Sequence, residues 1–241
     1  VNLILCAHHQ IGCRVLEWVL RAGCADRLAV FTHVSREHEG NVLELARAHG
    51  VTATTASVNR APLPFRPDII ASVYYRGIIK PHVIEACGGR IFNAHPSLLP
   101  NHRGCSAVPW AIIEGDAVTG MTYHYIDEGI DTGRVLVQAA VQIDLDETQL
   151  SLYEKCMAVG ARYWPAAFEL VQAGFPGVPQ LGRRQSYHRR GCPYGGEIQP
   201  GWSLDQVERF IRAMHYPPLP GARFRGRPVG SVKEYRALLP V

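Results

Sequence analysis

No run of about eighteen apolar residues occurs in this chain, so no membrane-spanning helix is expected. The opening VNLILCAHHQ lacks a basic start and a long apolar core, so it does not read as a secretory leader. The seven cysteines are odd in number and include no Cys-x-x-Cys pair. That argues against a disulfide framework and for a reducing, cytoplasmic setting. Cys6, His8, His9 and Cys13 crowd together, but their spacing is not a zinc pattern, and no metal is expected. There is no Gly-x-Gly-x-x-Gly, so dinucleotide binding is not favoured. Internal repeats and low-complexity segments are also missing.

What is present is an ordinary globular composition. Of 241 residues, 47% are apolar and 19% charged, which excludes a disordered chain and suits one medium domain with a small appendage. The net charge of +4 is mild, and the arginines gather in the last quarter, from Arg183 and Arg184 through Arg189, Arg190, Arg209 and Arg212 to Arg223, Arg225 and Arg227. No aromatic stacking pattern runs with them. An anionic small molecule is therefore the expected partner rather than nucleic acid or a membrane.

Apolar runs and helical spacings alternate along most of the chain. Residues 1–7, 28–33, 51–54, 67–75 and 89–93 read as strands, and 11–22, 42–49, 81–87 and 107–114 as helices. Gly23 is a plausible helix cap. Such alternation predicts an α/β fold with a doubly wound, mostly parallel sheet. Residues 118–127 and 134–143 are two further extended segments, and 148–173 a long helix that Pro165 should kink or divide. The expected division is a catalytic domain over 1–180 and a small α+β unit over 181–241, holding one helix near 204–214 and a few strands.

The stretch FNAHPSLLPNHRG (92–104) runs an apolar strand into Asn93 and His95. Two apart on an extended segment, they share a face, and paired polar groups at a buried strand end are costly unless used. Ligands of such sheets bind beyond the carboxyl ends of the strands, where Asn93 and His95 lie, and GIDTG places Asp131 at a turn after another extended segment. An amide can donate to a developing oxyanion, an imidazole can carry a proton near neutral pH, and a carboxylate can orient the ring. A structural account of the same three is equally available: Asn93 capping a turn, His95 satisfied in the core, Asp131 bonding its own loop. His124 reads as facing the core or a helix.

FNAHPSLLPNHRG followed by GMTYHYIDEGIDTG resembles the signature of the folate-dependent formyltransferases. The Asn-x-His-x-Ser-Leu-Leu-Pro motif of that family and its distant Asp fall on Asn93, His95, Ser97, Leu98, Leu99, Pro100 and Asp131. CAHHQIGCRVLEWVL, VFTH, SVYYRGII, LGRR and FIRAMHYPPLPGA resemble the members that act on nucleotide-linked amino sugars, so the likeness spans most of residues 1–222. The resemblance implies 10-formyltetrahydrofolate as donor and the amine of a UDP- or dTDP-linked 4-amino-deoxysugar as acceptor. It implies catalysis by Asn93, His95 and Asp131. Arg76, Gly77, Ile78 and Ile79 would hold the pterin edge through their backbone, and the loop of Asp127, Glu128, Gly129 and Ile130 would wrap the same ring. His8, His9, Tyr75, Ser97 and Arg103 are candidates for the acceptor pocket, and a homodimer through 181–241 is expected. Formylation of another amine, such as a siderophore hydroxyornithine or methionyl-tRNA, and an inactive folate-binding module are the alternatives.

Overall fold

The computed structural model describes residues 1–36, 40–182 and 185–239. Arg183 and Arg184 lie outside the described residues. In chain order the elements begin β1 (Asn2–Ala7), α1 (His9–Ala22), β2 (Arg27–Phe31), α2 (Val42–Ala48), β3 (Thr52–Thr54), β4 (Ile69–Val73), α3 (Pro81–Ala86) and β5 (Ile91–His95). They continue with β6 (Arg103–Gly104), α4 (Ala107–Glu114), β7 (Val118–Tyr125), β8 (Val135–Gln142) and α5 (Gln149–Gln172). The chain ends with β9 (Tyr187–His188), a 3-10 turn (Pro193–Gly196), α6 (Leu204–Ala213), β10 (Arg223–Phe224), β11 (Arg227–Pro228) and α7 (Val232–Ala237). The last helix was not legible in the sequence.

Seven strands form one sheet in the order β3-β2-β1-β4-β5-β7-β8. β1, β2, β3, β4 and β5 pair in parallel, while β7 runs antiparallel to β5. β4 is buried at every residue and β1 at all but its first, which is why both read as unbroken apolar runs. β8 alternates buried and exposed toward its end, as a strand covered on one face does. α1 lays Ile11, Val15, Leu16 and Val19 into the core and ends at Gly23, whose left-handed φ of 59° lets its N–H reach the Val19 carbonyl.

The long helix α5 is a single element through Pro165 rather than two. The side chains around the proline explain why. Trp164, Ala167, Phe168 and Val171 are all buried, and the Trp164 indole stacks on Phe92 of β5 with centroids 5.2 Å apart. Burying two large aromatics is worth several kcal/mol, more than the ~3 kcal/mol that an interior proline costs.

The chain resolves into two compact units. The first comprises residues 1–95, 121–139 and 157–181; the second comprises 96–120, 140–156 and 182–241. The second unit is thus assembled from three stretches, whereas the sequence suggested a contiguous tail from 181 onward. Its packing shows what the sequence hid. Arg209 of α6 donates to the Ile113 carbonyl at the end of α4. Arg212 donates to the Glu147 carbonyl, and the Leu150 N–H to the His215 carbonyl. α6 itself starts with a capping box, Ser203 and Gln206 each bonding the other's backbone N–H.

Candidate active site

β5 stays extended as far as His95, two residues beyond the expected end, so Asn93 and His95 do share a strand face. Both sit at the carboxyl end of the sheet's central region. Neighbouring strands supply what surrounds them. On β4, Ser72 is the register partner of Asn93, and its hydroxyl donates to the Asn93 Oδ1 at 2.8 Å. With its oxygen held there, the amide turns its Nδ2 donor the other way, toward His124 Nε2 at 3.4 Å.

His124 is the register partner of Asn93 on β7. It is buried, as expected of a core-facing side chain, and it also lies beside Asn93 and Asp131. Its Nδ1 lies 2.8 Å from the Tyr125 carbonyl oxygen, which can only accept, so Nδ1 carries the hydrogen. Nε2 of the neutral ring is then an acceptor. It lies 3.4 Å from Asp131 Oδ1, while Asp131 Oδ2 lies 3.4 Å from His95 Nδ1. One carboxylate therefore lies between two imidazoles; in this tautomer His124 Nε2 takes its hydrogen from Asn93, and only His95 can donate to the carboxylate. His95 and His124 are almost entirely buried, and the Asp131 side chain keeps 14% of its surface exposed. The cluster is thus dry on the strand side and reachable from the loop side.

The loop that carries Asp131 is tightly determined. Asp131 takes a left-handed φ of 54°, unusual for a residue other than glycine. Gln180 holds it there, donating to the carbonyls of Asp131 and Gly133 at 2.7 and 2.9 Å. Asp127 Oδ1 accepts the Gly129 N–H at 3.1 Å and the Thr132 hydroxyl at 2.6 Å. Gly133 cannot be any other residue without movement, because a Cβ there would sit 1.8 Å from the Tyr125 carbonyl oxygen.

The remaining candidates fall into separate settings. His8 is fully buried at the start of α1, and its N–H donates to the Val73 carbonyl. His9 is also buried, at φ 65°, with its ring 5.6 Å from Tyr74. Tyr75 stacks on His33 at 4.4 Å, and its hydroxyl accepts the Val58 N–H. Burial raises the Tyr75 phenol above its usual range. In the 76–79 segment the Arg76 N–H donates to His33 Nε2, and the Ile78 carbonyl accepts from Asn59. Ile79 is buried and Ile78 exposed. Ser97 and Arg103 belong to the second unit. The Ser97 hydroxyl donates to the Asn101 carbonyl at 2.6 Å, which pins its own loop. Among the described residues, His102, Glu114 and His188 place one ligand-type atom each within 4.8 Å. The facing nitrogens of the two histidines are 2.9 Å apart, a separation at which they share a hydrogen.

An amide donor with its oxygen tied back, an imidazole and a carboxylate gathered at the end of a parallel sheet define a centre for chemistry at a carbonyl-type carbon. The Ser72 hydroxyl is used in orienting Asn93. Residues 12–168 match the formyl transferase family, and the chain belongs to that family. The GDP-perosamine N-formyltransferase of Brucella melitensis is 36% identical over 223 residues, covering 89% of this chain and 86% of the relative. The same enzyme from Brucella abortus matches equally. The fold is shared with the N-formyltransferase of Helicobacter canadensis, solved with folinic acid and dTDP-3-aminofucose, at 20% identity and TM-score 0.79 over 95% of this chain and 86% of that one. It is shared also with the phosphoribosylglycinamide formyltransferase of Bacillus halodurans, 27% identical, TM-score 0.61, covering 71% of this chain and 97% of that one. The predicted α/β, mostly parallel architecture holds. No helix among the described residues is long and apolar enough to cross a membrane.

Proposed function

We propose that the protein transfers a formyl group from 10-formyltetrahydrofolate to the amine of a nucleotide-linked 4-amino-deoxysugar. The observation that carries this is the placement of Asp131 within 3.4 Å of His95, on the strand where Ser72 orients Asn93. The 36% identity to a nucleotide-sugar formyltransferase supports the acceptor class. That relative's substrate adds GDP to the UDP and dTDP of the initial expectation.

The donor supplies an activated formyl carbon. The chain's own groups fit that chemistry: an aimed amide N–H for the oxygen that gains charge, with the Ser72 hydroxyl engaged by Asn93. Transfer goes directly to the acceptor amine. Asn93 Nδ2 and His95 stabilise the oxyanion. With Nδ1 toward the carboxylate, the protonated His95 donates from Nε2 to the oxyanion and then gives that proton to the leaving folate nitrogen, recovering the one lost by the amine directly or through water held by Asp131. The backbone of Arg76, Gly77, Ile78 and Ile79 and the loop of Asp127, Glu128, Gly129 and Ile130 hold the pterin. His9, backed by the buried His8 and flanked by Tyr74, is read as facing the acceptor; Tyr75, Ser97 and Arg103 are the other acceptor candidates. The same reading takes the protein as a cytoplasmic homodimer joined through residues 181–241, where Leu181, Leu204, Leu219 and Leu239 are exposed. Sedimentation at two concentrations checks that part.

The test is release of tetrahydrofolate with a panel of GDP-, UDP- and dTDP-linked amino sugars. One acceptor should turn over, with a rate that falls as the pH drops below neutral and the amine protonates. His95→Ala should lose about a hundred- to ten-thousand-fold in kcat. Near-full turnover by that variant overturns the mechanism. Failure of every nucleotide sugar, with turnover on hydroxyornithine or methionyl-tRNA, overturns the acceptor class.

A further inference from the structure

Within the second unit, Trp110 of α4 is half-buried and stacks on His188, with ring centroids 4.3 Å apart and planes 9° from parallel. Tyr194 leans on the same indole at 5.3 Å. His188 is fixed from behind. His102 Nε2 donates to Asp116 at 2.6 Å, so in the neutral ring Nδ1 accepts the hydrogen on His188 Nε2 at 2.9 Å. The strand holding His188 is pinned as well: the Arg103 N–H donates to the Ser186 carbonyl and the Cys105 N–H to that of His188. Gly104 permits this approach, since a Cβ there would lie 2.3 Å from the His188 carbonyl oxygen. The result is a rigid aromatic shelf at the side of a cleft of about 330 Å³, whose next wall carries the exposed side chains of Arg189 and Arg190.

A shelf of stacked rings held by a carboxylate–imidazole–imidazole relay presents a flat π-surface at little ordering cost. Two guanidinium groups beside it favour a doubly charged anion of phosphate type. The cleft's size suits one base and its sugar rather than a polymer. We propose that this cleft binds a nucleoside diphosphate, with the base against the Trp110–His188 shelf and the phosphates at Arg189 and Arg190. The stacking and the charge stand on their own; the choice of a nucleoside diphosphate over another aromatic anion rests on the acceptor reading above.

The experiment is calorimetric titration of the full chain with GDP, UDP and dTDP, with the formyl-transfer assay run in parallel. Binding of one of them should weaken by roughly tenfold or more in Trp110→Leu, the loss expected when one stacking surface goes. Arg189→Ala/Arg190→Ala, changed only at exposed positions and expected to fold, should weaken it by a similar factor and flatten its salt dependence. Binding that is unchanged in the arginine variant, or no binding of any nucleotide at millimolar concentration, overturns the cleft assignment. Formyl transfer to a nucleotide sugar together with unchanged nucleotide binding overturns the cleft alone. Variant-sensitive nucleotide binding with no nucleotide sugar formylated supports the cleft and overturns the acceptor reading.

Discussion

Ser72 and Asn93 face one another across adjacent parallel strands, and the serine hydroxyl donates to the amide oxygen at 2.8 Å. Nothing about Ser72 in the sequence marks it as part of a site; it is one small polar residue in an apolar run. Its effect is to decide which end of the Asn93 amide faces the cluster. Without that bond the amide can rotate and offer its oxygen, which would repel a developing oxyanion. Ser72→Ala is therefore expected to lower kcat by about tenfold, with the donor KM little changed. Thermal stability should fall by only about 1 kcal/mol, the net worth of one hydrogen bond. Steady-state kinetics beside a melting curve separates the two effects. Equal kcat in variant and parent would show that Asn93 keeps its orientation by other means.

The bridging position of Asp131 leads to a second expectation. Its two oxygens face His95 and His124, each at 3.4 Å. Asp131→Asn keeps the shape and removes the charge, and it places an amide nitrogen against one of the two rings. The kcat should drop by a hundredfold or more, as in other sites where the orienting carboxylate is lost. His124→Gln keeps an acceptor near Asn93 but cannot carry the second imidazole, so a smaller loss of about tenfold is expected. The variants should differ in pH profile: removing the carboxylate alters the acidic limb through His95, whereas His124→Gln leaves its shape. Identical profiles would refute separate roles for the two histidines.

That Asn93, His95 and Asp131 would lie near one another was legible because such residue types stand out at strand ends, and the spacing of Asn93 and His95 reads as one face of a strand. His124 and Ser72 were not legible for a single physical reason. Each enters through strand register, Ser72 beside Asn93 on β4 and His124 beside it on β7, and register is a tertiary property. The parallel sheet was readable from its continuous apolar runs. The uninterrupted course of α5 through Pro165 was not, because local backbone preference opposes what Trp164 and Phe168 gain by burial. The second unit was read as a tail because its partner segments, 96–120 and 140–156, look in sequence like parts of the main sheet's connections.

A third expectation concerns the turn beneath Asp131. A methyl group on residue 133 would meet the Tyr125 carbonyl oxygen at 1.8 Å, a backbone atom with no way to step aside. Gly133→Ala should shift the loop, loosening Asp131 from its two imidazoles while leaving the rest of the sheet folded. A loss on the order of 1–3 kcal/mol in stability is expected, the usual cost of overpacking. The fall in kcat should exceed what the fraction unfolded accounts for. A fully active, fully stable Gly133→Ala would mean that the turn tolerates far more movement than its hydrogen bonds suggest.

The buried thiols set how stability responds to alkali. Burial pushes Cys13 and Cys87 from the ordinary 9.0 up to about 11, with the Glu17 carboxylate adding to the effect at Cys13. Cys6 and Cys156 are raised further, mainly by burial. A group whose folded pKa is raised contributes fully below its unfolded pKa and loses that contribution as pH climbs toward the folded one. The fold should therefore keep its thiol contribution below pH 9.0 and lose it progressively between 9.0 and about 11, as the unfolded chain gains thiolates that the folded chain refuses. Melting temperatures measured across that window should fall steadily. In Cys87→Ala the starting value should be lower, because a buried side chain is truncated, but the decline should be shallower, because one of the thiols driving it is gone. An equally steep decline in that variant would assign the alkaline loss to other groups. At neutral pH the same burial should keep Cys6 and Cys87 as unmodified thiols under iodoacetamide, read by peptide mass mapping, until the chain is unfolded.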